Sequence, residues 1–176
     1  MSDLTQFISL FFYYNCEKVG YLLDKSKILY TLMSELTQAE FDFLMKLEKE
    51  FEDKSTILLY PAPMQWTRKI KSTSSKDFFC LDFYRGTFKV QKYTYNHRYK
   101  QTLAIFRFDS YGIHTNPDGQ KIEGFHIHVY KEGFGDKFAY PASEFGIKES
   151  DTMEIILEKF LLYCNIKPIG IEPPML

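Results

Sequence analysis

Histidine is the residue type in this chain whose spacing most clearly suggests chemistry, because all four copies fall within 32 consecutive residues. They are His97, His114, His126 and His128. The surrounding sequence predicts β-strands, and residues two apart in a strand project from the same face, so His126 and His128 point the same way. The segment 116–119 (NPDG) is a strong turn signature. A turn there brings His114 near the other two imidazoles.

Such a group of side chains could bind a metal ion. Three imidazoles, or two with a carboxylate, satisfy the usual nitrogen and oxygen ligation of Zn²⁺ or a similar divalent ion. The neighbouring carboxylates considered for this role are Asp109, Asp118 and Asp136. We predict a metal site formed by His114, His126 and His128, with Asp118 or Asp136 as the fourth ligand.

Two other interpretations of the histidines stay open. An H-x-H pair on an exposed strand is often only a polar face with hydrogen-bonded imidazoles, and its spacing alone gives many false matches. Alternatively, a histidine with a pKa near neutrality transfers a proton while Arg107, Lys131 or Lys137 neutralises a phosphate. In that metal-free case His126 or His128 is the base or the acid.

Composition limits the partners and the compartment. The chain has 22 basic and 23 acidic residues, a formal net charge of -1, so no global field draws it to nucleic acid or an anionic membrane. Its three cysteines show no C-x-x-C spacing, which fits a reducing compartment. The apolar segment 7–14 is too short to span a bilayer and lacks a basic leader. We therefore predict a cytoplasmic protein. The aromatic content of 18% permits a dimer without requiring one.

Helices are predicted on both sides of a β-rich middle region. Thr37 and Glu40 form a capping box, and apolar residues recur at helical spacing as far as about Asp53. A last helix starts near Ser150. Its predicted buried stripe consists of Ile155, Ile156, Phe160 and Leu161.

The middle region alternates aromatic and β-branched residues in the way that strands do. Strands are predicted over 77–84, 87–95 and 101–109, and the NPDG turn is predicted to join 105–114 to 122–130. The predicted fold is α+β: an antiparallel meander packed with an N-terminal helix or helical hairpin and a C-terminal helix.

Residues 36–176 are predicted to form this single domain, and residues 1–35 a helical or aromatic extension. The segment 33–38 (MSELTQ) echoes 1–6 (MSDLTQ). Either a helical hairpin has two similar N-termini, or Met33 is an alternative start and the first segment is an extension.

Residues 36–141 resemble an uncharacterised family of small bacterial and phage proteins. The resemblance is carried by LTQAEFDFLMKLEKEF, by YNHRYK, by FRFDSYGIHTNPDG and by IEGFHIHVYKEGFGDKFAYP. The family implies no established activity. By analogy alone, the chain is also similar to phage-encoded inhibitors of type II CRISPR effector nucleases.

That analogy implies a non-catalytic, metal-stabilised inhibitor that binds a host defence nuclease directly. Covering a surface that the nuclease needs for guide, target or domain movement is enough to stop it, and the metal would contribute to folding. Direct nucleic-acid binding is not expected. The alternative is a toxin-like ribonuclease or nuclease in which His114, His126 and His128 form the active site and Lys131 or Lys137 stabilises the phosphorane.

Overall fold

The computed structural model describes residues 35–60, 62–86 and 92–172, so the predicted extension at 1–35 lies almost wholly outside the described residues. Within them the chain forms helix α1 (Gln38–Lys46), helix α2 (Met153–Tyr163) and a short 3₁₀ helix (Ala142–Phe145). The strands are β1 (Lys49–Phe51), β2 (Ile57–Leu58), β3 (Met64–Ser72), β4 (Phe78–Arg85), β5 (Tyr93–Tyr99), β6 (Leu103–Asp109), β7 (Ile113–Thr115), β8 (Lys121–Glu123), β9 (His126–Lys131), β10 (Gly135–Pro141) and β11 (Ile171–Glu172). Neither helix is long and apolar enough to cross a bilayer.

Seven strands form one antiparallel sheet in the order β1-β3-β4-β5-β6-β9-β10. This confirms the predicted α+β fold with a meander, which runs through β3, β4, β5 and β6. The NPDG turn joins only the short strands β7 and β8, which pair as a separate hairpin. The predicted pairing of 105–114 with 122–130 is confirmed at both ends, since β6 pairs with β9 and β7 pairs with β8, but it is interrupted between Asp109 and Ile113, where the register shifts by one residue.

Cross-strand partners form rows that run across the sheet. One row, fully buried, consists of Phe83, Tyr95, Phe108 and Ile127. The rows on either side of it in β4, β5, β6 and β9 are polar: Tyr84, Thr94, Asp109 and His126 form one, and Asp82, Asn96, Arg107 and His128 another. Since successive residues of a strand point to opposite faces, the sheet has an apolar face and a polar face.

Helix α2 covers the apolar face. The Tyr95 hydroxyl donates to the carbonyl oxygen of Met153 at 2.9 Å, and the Phe160 ring lies 5.8 Å from the ring of Tyr95 and 5.2 Å from that of Phe106. Each buried aromatic side chain contributes about 2–3 kcal/mol of transfer free energy. Of the predicted stripe, Ile156, Phe160 and Leu161 are buried but Ile155 is exposed.

Helix α1 begins as predicted and ends earlier. The Thr37 hydroxyl accepts from the amide of Glu40, and the Glu40 carboxylate accepts from the amide of Thr37. The helix stops at Lys46 instead of near Asp53. Beyond it, Lys49 and Phe51 are both buried in β1, which pairs with β3. Burial of every second residue is the pattern of a strand, and it replaces the helical spacing expected from the sequence.

Candidate metal centre

The register between β6 and β9 brings two histidines to one carboxylate. Asp109 pairs with His126 across the two strands, and Arg107 pairs with His128, so all four side chains share the polar face. One donor atom from each of Asp109, His126 and His128 lies within 4.8 Å of the others. This buried group could hold a metal ion.

The distances fit tetrahedral ligation. Oδ2 of Asp109 lies 3.7 Å from Nε2 of His126 and 3.3 Å from Nε2 of His128. Two ligand atoms of a tetrahedral zinc ion, each about 2.0–2.1 Å from the metal, are about 3.4 Å apart. Both distances from the carboxylate to an imidazole are therefore close to the separation that tetrahedral zinc requires.

Both imidazoles are held with Nε2 facing the carboxylate. Nδ1 of His126 lies 2.8 Å from the carbonyl oxygen of Gly124, and Nδ1 of His128 lies 2.9 Å from that of Asp136. A carbonyl oxygen can only accept, so each Nδ1 carries the proton and each Nε2 of a neutral ring has a lone pair. Metal-binding histidines are usually oriented in this way. The side chains are only 5% and 2% exposed, and burial lowers the pKa of His126.

Asp109 is ionised. Burial acts to raise its pKa, but hydrogen bonding, including that from the Thr94 hydroxyl, and the positive charge of Arg107 outweigh that effect and hold the pKa well below its usual range. The Thr94 hydroxyl donates to Oδ1 at 2.7 Å. The carboxylate thus supplies the one negative charge among the three donors.

Arg107 connects the polar groups of the site. Its Nε donates to Oδ2 of Asp109 at 3.0 Å and its Nη1 to Oδ2 of Asp136 at 2.7 Å. Its Nη2 lies 3.0 Å from Nε2 of His128 and donates to that lone pair. A metal ion bound by His128 must replace this last hydrogen bond, whereas the contact with Asp136 can keep the guanidinium nearby.

The three donor atoms lie beside an open cleft of about 560 Å³. Its walls combine cationic, aromatic and imidazole side chains. They are formed by Tyr84, Lys92, Thr94, Arg107, Asp109, Tyr111, Gly112, Ile113, His114, His126 and His128. A bound metal would therefore be accessible to a further ligand.

The other predicted ligands form other contacts instead. The His114 ring is 4.5 Å from that of His128 in an edge-on contact, and its Nε2 donates to the carbonyl oxygen of Lys137 at 2.8 Å. The Asp118 carboxylate accepts from the amide of Gln120 in the NPDG turn. The Asp136 carboxylate is paired with Arg107. Of the five predicted ligands, His126 and His128 belong to the three-atom group, which Asp109 completes.

Of the residues predicted for the alternative chemistry, Arg107, His114, His126 and His128 line the same cleft. The Lys131 ammonium lies over the rings of Phe138 and Phe134, 4.2 and 5.7 Å from their centroids, and Lys131 does not line the cleft. His97 lies on the apolar face beside Phe79. Arg107 is the basic candidate that reaches the site.

Sequence reasoning did not identify Tyr84, Lys92 or Thr94 as neighbours of the histidines. The register of β4 with β5, and of β5 with β6, could have identified Tyr84 and Thr94. Once β4 and β5 are paired through their hairpin, Tyr84 faces Thr94, and Thr94 faces Asp109 in the next pair. This deduction requires the strand ends to be known within one residue.

The chain belongs to a family of unknown function, DUF6978, whose model matches residues 36–166. Neither the curated proteins nor the solved structures give a match. The family assignment therefore brings no activity, and function has to be argued from the site.

Proposed function

We propose that this protein binds a zinc ion through Asp109, His126 and His128. The observation that supports the proposal is the convergence of two Nε2 lone pairs and one ionised carboxylate, with each imidazole oriented by a main-chain carbonyl. Nitrogen and carboxylate donors in this number suit zinc. One negative charge among three donors also suits a divalent cation.

The cleft argues for an open zinc site. Structural zinc sites are usually closed by four protein ligands, whereas sites that act on a ligand have three and leave a position for water or substrate. Here three donors adjoin a cleft of about 560 Å³. We accordingly favour a centre that presents zinc to a further ligand over the purely structural clip expected from the sequence.

Elemental analysis of the purified, tag-free protein after dialysis against zinc tests the proposal. We expect about one zinc ion per chain in the wild type and loss of zinc in Asp109→Asn and in the double variant His126→Ala/His128→Ala. His114→Ala is the matched control, since its imidazole lies in the same cleft but outside the three-atom group.

Two results would count against this site. A wild-type protein that keeps no zinc would remove the proposal. Zinc lost in His114→Ala but kept in Asp109→Asn would instead support the ligand set predicted from the sequence.

One observation favours a second candidate, the metal-free nuclease. Arg107 already donates to Nε2 of His128, as a substitute for a metal would. His126 would then be the proton-transfer group, because its Nε2 lies at the cleft and burial keeps the ring neutral near pH 7. Cleavage of RNA or DNA in the presence of a chelator, lost in a folded His126→Ala variant, would support it.

Inhibition of a type II CRISPR effector stays a prediction from the sequence. Its test is direct: the purified protein should bind the effector and reduce target cleavage. If the zinc centre serves this role, Asp109→Asn should weaken inhibition together with zinc binding.

A further inference from the structure

Metal binding changes the net charge of the cleft. Lys92 and Arg107 line the cleft with positive charge, and the carboxylates of Asp109 and Asp136 balance them through their contacts with Arg107. Metal-binding imidazoles are neutral. Without metal the site is therefore close to neutral, and a divalent ion adds two positive charges that these side chains do not balance.

An excess of two charges in a partly enclosed site favours a dianion. A phosphate monoester carries about -1.5 to -2 charges near pH 7 and has three oxygens that accept hydrogen bonds. One oxygen could take the open position on the metal, while Arg107 and Lys92 donate to the others. Arg107 is suited to this, because metal binding frees the Nη2 group that otherwise donates to His128.

The aromatic walls indicate what the phosphate is attached to. Tyr84 and Tyr111 both line the cleft, and each is 49% exposed. Exposed tyrosine rings beside a cationic groove are a common surface for stacking nucleobases. Tyr84 stands in the same cross-strand row as Asp109, two strands away, so at about 4.8 Å per strand the backbones of the two residues are about 10 Å apart along the sheet. That separation fits a ribose between a phosphate and a base.

We propose that the metal-loaded cleft binds a nucleoside monophosphate, with the phosphate at the metal, Arg107 and Lys92, and the base against Tyr84 or Tyr111. This inference rests on the proposed zinc centre. It makes phosphate binding depend on metal, and by linkage the phosphate ligand strengthens metal binding by the same factor.

Calorimetric titration of the full chain with adenosine monophosphate and with inorganic phosphate, each with and without zinc, tests the inference. We expect nucleotide binding to weaken at least about tenfold without zinc. Lys92→Gln should weaken both ligands about tenfold, and Tyr84→Ala should weaken the nucleotide alone. Lys76→Gln is the matched control, because Lys76 is exposed in the turn before β4, at the far end from Tyr84.

The outcomes separate this inference from the zinc proposal. Zinc binding without any phosphate or nucleotide binding would overturn the inference and leave the zinc centre standing. Equal affinity for inorganic phosphate and nucleotide would show that the cleft does not recognise the nucleoside. Nucleotide affinity that is the same with and without zinc would show that phosphate binding is not coupled to metal binding. A chain that binds no zinc would overturn both proposals.

Discussion

Asn116 forms two hydrogen bonds with the main chain of Ala139. Its Nδ2 donates to the carbonyl oxygen of Ala139 at 2.9 Å, and its Oδ1 accepts from the amide of Ala139 at 2.8 Å. The amide side chain thus takes the place of a neighbouring strand on β10, although Asn116 belongs to the β7–β8 hairpin. It is buried, and it fixes the hairpin that carries His114 against the main sheet.

Replacing this side chain should destabilise the protein. In Asn116→Ala two buried main-chain groups lose their partners, which costs about 2–4 kcal/mol of unfolding free energy. Chemical denaturation measures the loss. Asp118→Ala, in the exposed part of the same turn, is the control and should cost less than about 1 kcal/mol. A stable Asn116→Ala protein would show that the hairpin does not depend on this contact.

Arg107 should compete with the metal. Its Nη2 donates to the lone pair of His128 that zinc requires, and its charge repels a cation. Arg107→Met is therefore expected to bind zinc about tenfold more tightly, although the metal-free variant should melt at a lower temperature because Asp109 and Asp136 lose their counter-ion.

Calorimetry and melting curves with and without zinc check both effects. Arg98→Met, which removes the ion pair with Asp82 elsewhere on the polar face, should leave zinc affinity unchanged. Weaker zinc binding in Arg107→Met would mean that the guanidinium supports the metal instead of excluding it.

His97 should make the fold sensitive to acid. It is fully buried, neither ring nitrogen has a hydrogen-bond partner among the described residues, and burial together with the charge of Lys49 lowers its pKa to about 3. The unfolded chain takes up the proton near pH 6.5, so stability is complete above that pH and is lost as pH falls from 6.5 towards 3.

The expected loss over that window is on the order of 3–5 kcal/mol, and His97→Leu should remove this part of the pH dependence. Urea denaturation of both proteins between pH 7 and pH 4 gives the comparison. Parallel pH profiles would show that His97 is not the group responsible.

Lys49 should hold the two helix ends together. Its ammonium donates to the carbonyl oxygens of Met45 and Leu47 at the end of α1 and to that of Cys164 at the end of α2. Burial lowers its pKa to about 8, so the group is still mostly charged at pH 7. Lys49→Met leaves three carbonyl groups without this donor and should cost about 2–4 kcal/mol.

Denaturation measured on Lys49→Met and Lys54→Met provides the test. Lys54 is exposed and pairs with Glu50 at the surface, so its replacement should have an effect below about 1 kcal/mol. Similar stabilities for the two variants would contradict a capping role for Lys49.

Periodicity predicted the elements whose pattern is long. The capping box of α1, the meander and the shared face of His126 and His128 follow from local rules, and they were found. The early end of α1 was not, because Phe51 also fits the apolar stripe of a helix and Lys49 its polar side, and only the pairing of these residues with β3 selects the strand. The two-residue strands β2 and β11 are too short to have a periodic signal.

The sequence did not identify Asp109 as the carboxylate of the three-atom group, for a different reason. Asp109, Asp118 and Asp136 are all close to the histidines along the chain. Only the register of β6 against β9 selects Asp109, while a local turn and an ion pair engage the other two. Register depends on packing of the opposite, apolar face, which no local pattern around the site encodes.

The proposed metal donors and part of the cleft wall come from different segments of the chain, and this has a consequence for variation within the family. All three proposed donors belong to β6 and β9, while the intervening segment 110–125 contributes Tyr111, Ile113 and His114 to the wall of the cleft. Members could exchange or reshape residues 111–123 without moving a donor, as long as the Gly124 carbonyl that orients His126 stays in place. Such proteins would keep one ion-binding chemistry and differ in which molecules gain access to it.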